Sequence, residues 1–277
     1  MNVPDDLEPR STTWTGAPSG AQSAGRVLQV LRLLATNGGA TDYGCGLGDL
    51  VRVTGLAKPT VHRLLAALVA TGFAERDPRT SRYRLGAEAQ LVGALAARRT
   101  SVQRLARPLL ADLAARTRET VLLTVRREHE CLCLHREDGL GQIRTYVLAV
   151  GDTHPLGVNA GGLALLAAED DEAVAASLDR DADWIATDYP LLDRARILDM
   201  IAATRRQGWS FNDGRVCPGA WGVAMALPDG SAAITVAGVE QRMRSDRRRE
   251  IAGMLRAAVG ELERLLRPGR AAVGNTA

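Results

Sequence analysis

The chain has 277 residues, 46% of them hydrophobic and 24% charged, with four cysteines. That is enough for two domains of ordinary globular composition, and it excludes a wholly disordered chain, a fibrous repeat and a disulfide scaffold. The net charge of +3 is unevenly spread: residues 23–107 carry thirteen basic and five acidic side chains, whereas residues 108–277 carry twenty-one basic and twenty-four acidic ones. A local basic excess of this kind attracts polyanions.

No apolar run approaches the ~20 residues that span a bilayer. The opening Met1-Asn2-Val3-Pro4-Asp5-Asp6 lacks the basic start and apolar stretch of a secretory signal, so a reduced cytoplasmic setting is expected. Lys58 is the only lysine beside 34 arginines, and no Gly-Lys pair exists for a Walker loop.

Residues 1–22 are rich in Ser, Thr, Gly, Pro and Asp without periodicity and read as a flexible tail. Over 25–36, Val27, Leu28, Val30, Leu31 and Leu34 fall at helical spacing, and Asn37-Gly38-Gly39 is expected to end that helix. A short helix is predicted over Leu47–Thr54, then a tight turn at Gly55-Leu56-Ala57. A third helix runs from Lys58-Pro59 to Thr71, closed by Gly72. Val61, Leu64, Leu65 and Leu68 form its apolar stripe and leave Thr60, His62 and Arg63 outside or beside it. Two extended runs, Phe73–Arg76 and Arg82–Leu85, flank the turn Asp77-Pro78-Arg79-Thr80-Ser81. Helix, helix, glycine turn, helix and basic hairpin make a winged helix-turn-helix: the third helix fits the major groove, and the hairpin arginines lie on phosphates.

Residues 87–100 are predicted as a linker helix with Leu91, Val92 and Leu95 on one side. A further helix follows through Leu105, Leu109, Leu110 and Leu113, which Pro108 should kink or restart. The pattern then changes to strands at Thr120–Arg126, Cys131–Arg136 and Ile143–Val150. Asn159 is placed to cap a helix over Gly162–Ala168. Helices near Glu172–Leu178 and Leu191–Gln207, strands Gly222–Leu227 and Ala232–Val239, and a last amphipathic helix over Arg247–Leu266 complete an α+β domain over residues 101–268, with a tail at 269–277. His129, Cys131, Cys133 and His135 alternate along a strand, but spread over roughly 20 Å at ~3.3 Å per residue they do not converge on one ion. Buried thiols and surface imidazoles are the reading, and neither metal nor cofactor is expected. No nucleophile elbow or zinc-protease motif is found, so the protein is not expected to be an enzyme.

Several blocks, in order, resemble the IclR-type bacterial transcriptional regulators over residues 23–267. They are Ser23-Ala24-Gly25-Arg26-Val27-Leu28; Gly55-Leu56-Ala57-Lys58-Pro59-Thr60-Val61-His62-Arg63-Leu64-Leu65; Arg82-Tyr83-Arg84-Leu85-Gly86; Gly151 to Leu156 with Ala160 to Ala167; and Gly208-Trp209-Ser210 with Pro218 to Ala224. The resemblance implies a DNA-binding winged helix-turn-helix domain (23–86), a linker helix (87–100) and a GAF-like mixed α/β effector-binding domain. It also implies homodimers, often paired into tetramers, and a small organic-acid or aromatic effector. Gly157, Leu163 and Arg215 depart from the family's pattern.

The DNA-contacting candidates are Lys58, Thr60, His62 and Arg63, with Arg79 and Arg82 on the wing. Positions matching the family's pocket are Ile143, Tyr146, Ala160, Gly161, Asn212, Gly222, Thr235 and Ala237. The helix start at Ala160-Gly161 suits a carboxylate, Asn212 and Thr235 supply hydrogen bonds, and Ile143, Tyr146 and Ala237 supply apolar wall. The expected function is a regulator that reads a palindromic operator under the control of a small, carboxylate or aromatic metabolite. The alternative is a metabolite-binding enzyme whose N-terminal domain localises or dimerises it.

Overall fold

Glycines in the left-handed backbone region, Gly55 and Gly72, mark where the second and third helices of the N-terminal segment stop. The computed structural model describes residues 21–39, 44–97, 102–141 and 148–267, and the chain divides into two units, residues 1–99 and 100–277. In the first unit, α1 (Gln22–Gly39) is followed by α2 (Leu47–Thr54), which ends on Gly55 at φ 65° with the Gly55 amide bonded to the Val51 carbonyl. α3 (Lys58–Ala70) carries Pro59 in its first turn, where the missing amide proton costs nothing. β1 (Ala74–Arg76) and β2 (Tyr83–Leu85) pair antiparallel with Glu75 opposite Arg84, and α4 (Ala87–Ala97) follows. Val30, Leu34, Leu50, Val61, Leu65, Leu68 and Tyr83 are buried together as this unit's core.

Two sequence expectations shift here. α1 runs on through Asn37-Gly38-Gly39 rather than stopping at Asn37, and Leu28, assigned to the apolar stripe, is 58% exposed. Leu33 takes the inward place instead.

The second unit opens with α5 (Val102–Thr117). Pro108 lies inside this helix, which continues past it: Ala106, Leu110 and Leu113 are buried on the following core, and that packing overrides the proline penalty. Then come β3 (Thr120–Arg127), β4 (Glu130–Glu137), β5 (Thr153–Pro155), α6 (Ala160–Ala167), α7 (Asp171–Arg180), α8 (Ala182–Asp188), α9 (Arg194–Gln207), β6 (Ser210–Asn212), β7 (Ala220–Ala226), β8 (Ala232–Val239), a 3-10 turn (Glu240–Arg242) and α10 (Ser245–Leu266). The strands form one antiparallel sheet in the order β5-β4-β3-β8-β7-β6. β5, β6 and α8 are too short to leave a periodic signal. The predicted strand 143–150 falls largely on residues outside the described ones, and its last three residues are not strand.

Alternation along the strands decides the layers. Val121, Leu123, Val223, Met225, Ile234 and Val236 face α5 and α10. The opposite face carries smaller residues, among them Gly222, Ala224, Ala233, Thr235 and Ala237, and α6 lies on it with α9 beyond. Glu119, at the entry to β3, is 6% exposed and takes a bidentate pair from Arg242 (2.6 and 2.7 Å). Among the described residues no helix is long and apolar enough to cross a membrane.

His154 on β5 bonds Tyr189 through Nδ1 at 2.6 Å. Burial pushes its pKa down to about 4, with Asp188 opposing. The unfolded value lies near 6.5, so the unfolded chain binds the proton first, and stability falls as pH drops from about 6.5 toward 4. Urea titrations at pH 7 and pH 5 should show a larger loss for the wild type than for His154→Gln, and equal losses would contradict the assignment.

Candidate functional site

Two sets of side chains carry the chemistry. On the first unit, Lys58 stands at the first position of α3, and His62 and Arg63 one turn on are exposed. Thr60 is half-buried between them and the core stripe. Lys58, His62 and Arg63 have no side-chain partner among the described residues, so their donors are available to an outside acceptor.

The hairpin tip is held by Asp77, whose Oδ1 accepts from the amides of Arg79 (2.7 Å) and Thr80 (3.1 Å); these bonds hold its carboxyl below the usual carboxylate range. Arg79 projects from that tip with no side-chain partner among the described residues. Arg82 is placed differently. Its Nε donates to the Gly44 carbonyl at 2.9 Å and its Nη2 lies 3.5 Å from Asp49, so it ties the hairpin to α2. Arg84 pairs across the hairpin with Glu75 at 2.5 Å, and Arg76 donates to Ser81 at 2.8 Å. Of the arginines on the hairpin, Arg79 is therefore the one whose side chain makes no hydrogen bond among the described residues.

On the second unit, the first turn of α6 lies at glycine distance from the sheet. A Cβ on Gly161 would sit 2.7 Å from Thr124 Oγ1 and 3.0 Å from Thr235 Oγ1, and one on Gly162 would sit 2.9 Å from Cys131 Sγ. Asn159 caps the helix, accepting from the Gly162 amide at 2.7 Å, an interaction worth about 1 kcal/mol. Among the described residues the amides of Ala160 and Gly161 have no partner, as expected of a helix's first turn.

Beside this helix start is a narrow cavity of about 30 Å³, or about 360 Å³ when the open space at its mouth is counted. Six of the predicted residues line it: Ala160, Gly161, Asn212, Gly222, Thr235 and Ala237. Ile143 and Tyr146 lie outside the described residues.

Asn212 is already engaged, contrary to its expected role as a ligand donor. Its Nδ2 donates to the Val158 carbonyl (2.7 Å), and its Oδ1 accepts from the amides of Gly214 (3.2 Å) and Arg215 (3.1 Å). It braces the loop that forms one wall. Arg215 pairs with Asp213 at 2.9 Å.

The hydroxyls of Thr124 and Thr235, by contrast, are buried without a hydrogen-bond partner among the described residues. Thr235 lines the cavity, and Thr124 lies under Gly161 beside it. Trp221, Leu122, Leu148 and Val216 also form its wall, and sequence reasoning missed them. Thr124 was legible as the polar residue on the same face as Leu122. Trp221 was not, since strand alternation places it with Val223 and Met225 on the α10 side of β7.

Cys131 and Cys133 are buried, and burial pushes both thiols up to about 12, so neither is ionised at neutral pH. His129 is exposed in the hairpin turn, while His135 is half-buried 3.4 Å from Glu137.

Comparison with known proteins matches residues 94–264 to the bacterial transcriptional regulator IclR C-terminal domain and residues 23–78 to the IclR helix-turn-helix domain. The chain belongs to the IclR family. It is a DNA-binding transcriptional regulator with an N-terminal helix-turn-helix unit and a C-terminal mixed α/β unit. It is 27% identical to the acetate operon repressor of Salmonella typhimurium over 247 residues, covering 87% of this chain and 88% of that one. It is 30% identical to the glycerol operon regulatory protein of Streptomyces coelicolor over 258 residues, covering 90% and 98%. In fold it is similar to an IclR transcriptional regulator from Alicyclobacillus acidocaldarius (TM-score 0.73, 22% identity, 87% of this chain and 97% of that one). It is also similar in fold to an IclR homologue from Microbacterium hydrocarbonoxydans complexed with 4-hydroxybenzoate (TM-score 0.67, 22% identity, 88% and 98%).

A buried hydroxyl with no partner costs stability that its methyl isostere does not. Thr235→Val in this IclR-family regulator is therefore expected to raise the melting temperature of the ligand-free protein by about 2–4 °C, from about 1 kcal/mol. A drop of similar size would mean that the hydroxyl has a structural partner.

Proposed function

We propose that this regulator reads duplex DNA with the start of α3 and the hairpin tip, and that a small carboxylate bound beside α6 controls it. The observation that carries the second half is the convergence of unpaired donors at one place. The amides of Ala160 and Gly161 and the buried hydroxyl of Thr235 border a cavity otherwise walled by Leu122, Leu148, Val216 and Ala237. A helix N-terminus favours negative charge, and apolar walls suit a carbon skeleton. The bound 4-hydroxybenzoate of the structural neighbour is an aromatic carboxylate and supports this reading.

For DNA, Lys58, Thr60, His62 and Arg63 are the candidates to enter the major groove, with Arg79 on a flanking phosphate. Arg82 acts chiefly by fixing the hairpin against α2. The apolar side chains that α4 leaves exposed, Leu91, Val92 and Leu95, are each about half exposed, and Leu28 of α1 is 58% exposed. Those of α4 offer an apolar contact for a second copy. A two-fold dimer then matches a palindromic operator with half-sites a helical turn, or a multiple of it, apart. A reduced cytoplasmic location follows from the same role.

Arg63→Ala should weaken binding to a palindromic operator in the neighbouring promoter by roughly tenfold or more, from about 1–3 kcal/mol per bidentate base contact, with unchanged melting. Lys58→Ala should lower the slope of affinity against salt by about one unit. Fluorescence anisotropy of labelled promoter DNA reads both. Unchanged affinity for Arg63→Ala would overturn the α3 assignment. Calorimetry in which sugars or cations bind and benzoate-type carboxylates do not would overturn the effector assignment.

A further inference from the structure

A second cleft lies on the other side of the β6–β7 edge, between α9, the turn at Trp209 and the first turn of α10, with about 750 Å³ of empty space including its mouth. Its floor is apolar, made by Met200, Trp209 and Phe211. Arg248, from the first turn of α10, lies over that floor. Its guanidinium carbon is 4.0 Å from the centre of the Phe211 ring and 5.6 Å from that of Trp221, and the two rings meet edge to face at 5.3 Å. This is a planar cation held over an aromatic shelf.

Among the described residues no carboxylate is paired with the charge on that shelf, although the exposed Asp199 lines the same cleft. Arg248 Nε is buried without a hydrogen-bond partner among the described residues. Its neighbour Arg247 shows the contrast, donating to Glu250 at 2.6 Å and to the Thr117 carbonyl at 3.1 Å. The acid on β6's side of the cleft, Asp213, is engaged by Arg215 at 2.9 Å and approached by Arg196 at 3.6 Å. Gln207 spends its amide on the Trp209 carbonyl at 2.7 Å. A partly desolvated guanidinium left without an acceptor is costly, and it binds an external anion more strongly than a surface arginine does.

We propose that this cleft is a second ligand site, separate from the α6 cavity, for a small monocarboxylate with a flat apolar body. The carboxylate takes the terminal nitrogens of Arg248 edge-on, and the body lies against Trp209, Phe211 and Met200. Asp199 and Asp213 line the same cleft, so a dianion such as phosphate is repelled where a monoanion is accepted. Trp221 borders the α6 cavity and Phe211 this cleft, so their edge-to-face contact joins the walls of the two sites.

The test is equilibrium dialysis of the full-length protein against labelled benzoate at saturation, comparing wild type with Arg248→Met. The wild type should bind one more benzoate per chain than the variant, and inorganic phosphate should not displace it. The difference is decisive, whatever the total. If the α6 cavity fails to take benzoate, the counts become one and zero instead of two and one, which separates failure of that reading from failure of this one. Equal counts for a folded Arg248→Met would overturn the second site, and displacement by phosphate would overturn the monocarboxylate assignment. Should Arg248→Met fail to fold, Arg248→Lys keeps the charge but loses the fork and should weaken the extra site at least tenfold; unchanged affinity would overturn the proposal.

Discussion

The close approach of α6 to the sheet is the constraint on which the second unit depends. Every residue of that helix is buried, and its first turn reaches the strands only because Gly161 and Gly162 have no side chain. The strands meet it with small residues, Gly222, Ala224, Ala233 and Ala237. A close-packed interior would close over any gap. Here small residues on both sides, together with a capped helix end, leave room next to unpaired donors. The cavity is thus a consequence of how near the helix can come, and the helix start supplies both the shape and the polarity of one wall.

The two units solve different physical problems. The first has a small core of ten buried residues, and its business is with a highly charged polymer. It pairs two of the four hairpin arginines internally, Arg84 with Glu75 and Arg82 with Asp49 and the Gly44 carbonyl, and leaves a few cations uncommitted at the points that face outward. The second has two cores, one on each face of its sheet, and can leave a few polar groups unsatisfied within them. Those groups, Thr124, Thr235 and Arg248 Nε, sit beside cavities rather than scattered through the interior. Buried polar atoms are otherwise almost always paired, which gives their placement its meaning.

Much was legible in the linear sequence because it rests on local physics. The limits of α2, the turn at Gly55, the start of α3, the Asn159 cap and the stop at Gly208 follow from capping, proline and glycine geometry, which act within one turn. The concentration of cations in the first unit and the outward placement of Arg63 followed from charge counting and helical spacing. Six cavity residues, from Ala160 to Ala237, came from resemblance to a family rather than from any local signal.

What only the folded chain decided involves partners far apart in sequence. Pro108 sits within a continuous helix because the burial of Ala106 and Leu110 outweighs a local penalty. Arg82 is tied down by a carbonyl 38 positions away, and Asn212 is spent on one 54 positions away, so neither is as available as its residue type suggests. The same holds in reverse for Arg248. Nothing in the run of arginines opening α10 distinguishes it from Arg247, until the strand bearing Phe211 is laid beneath it. Residue type sets what a side chain is able to bind; only the tertiary neighbours determine whether that capacity is already used.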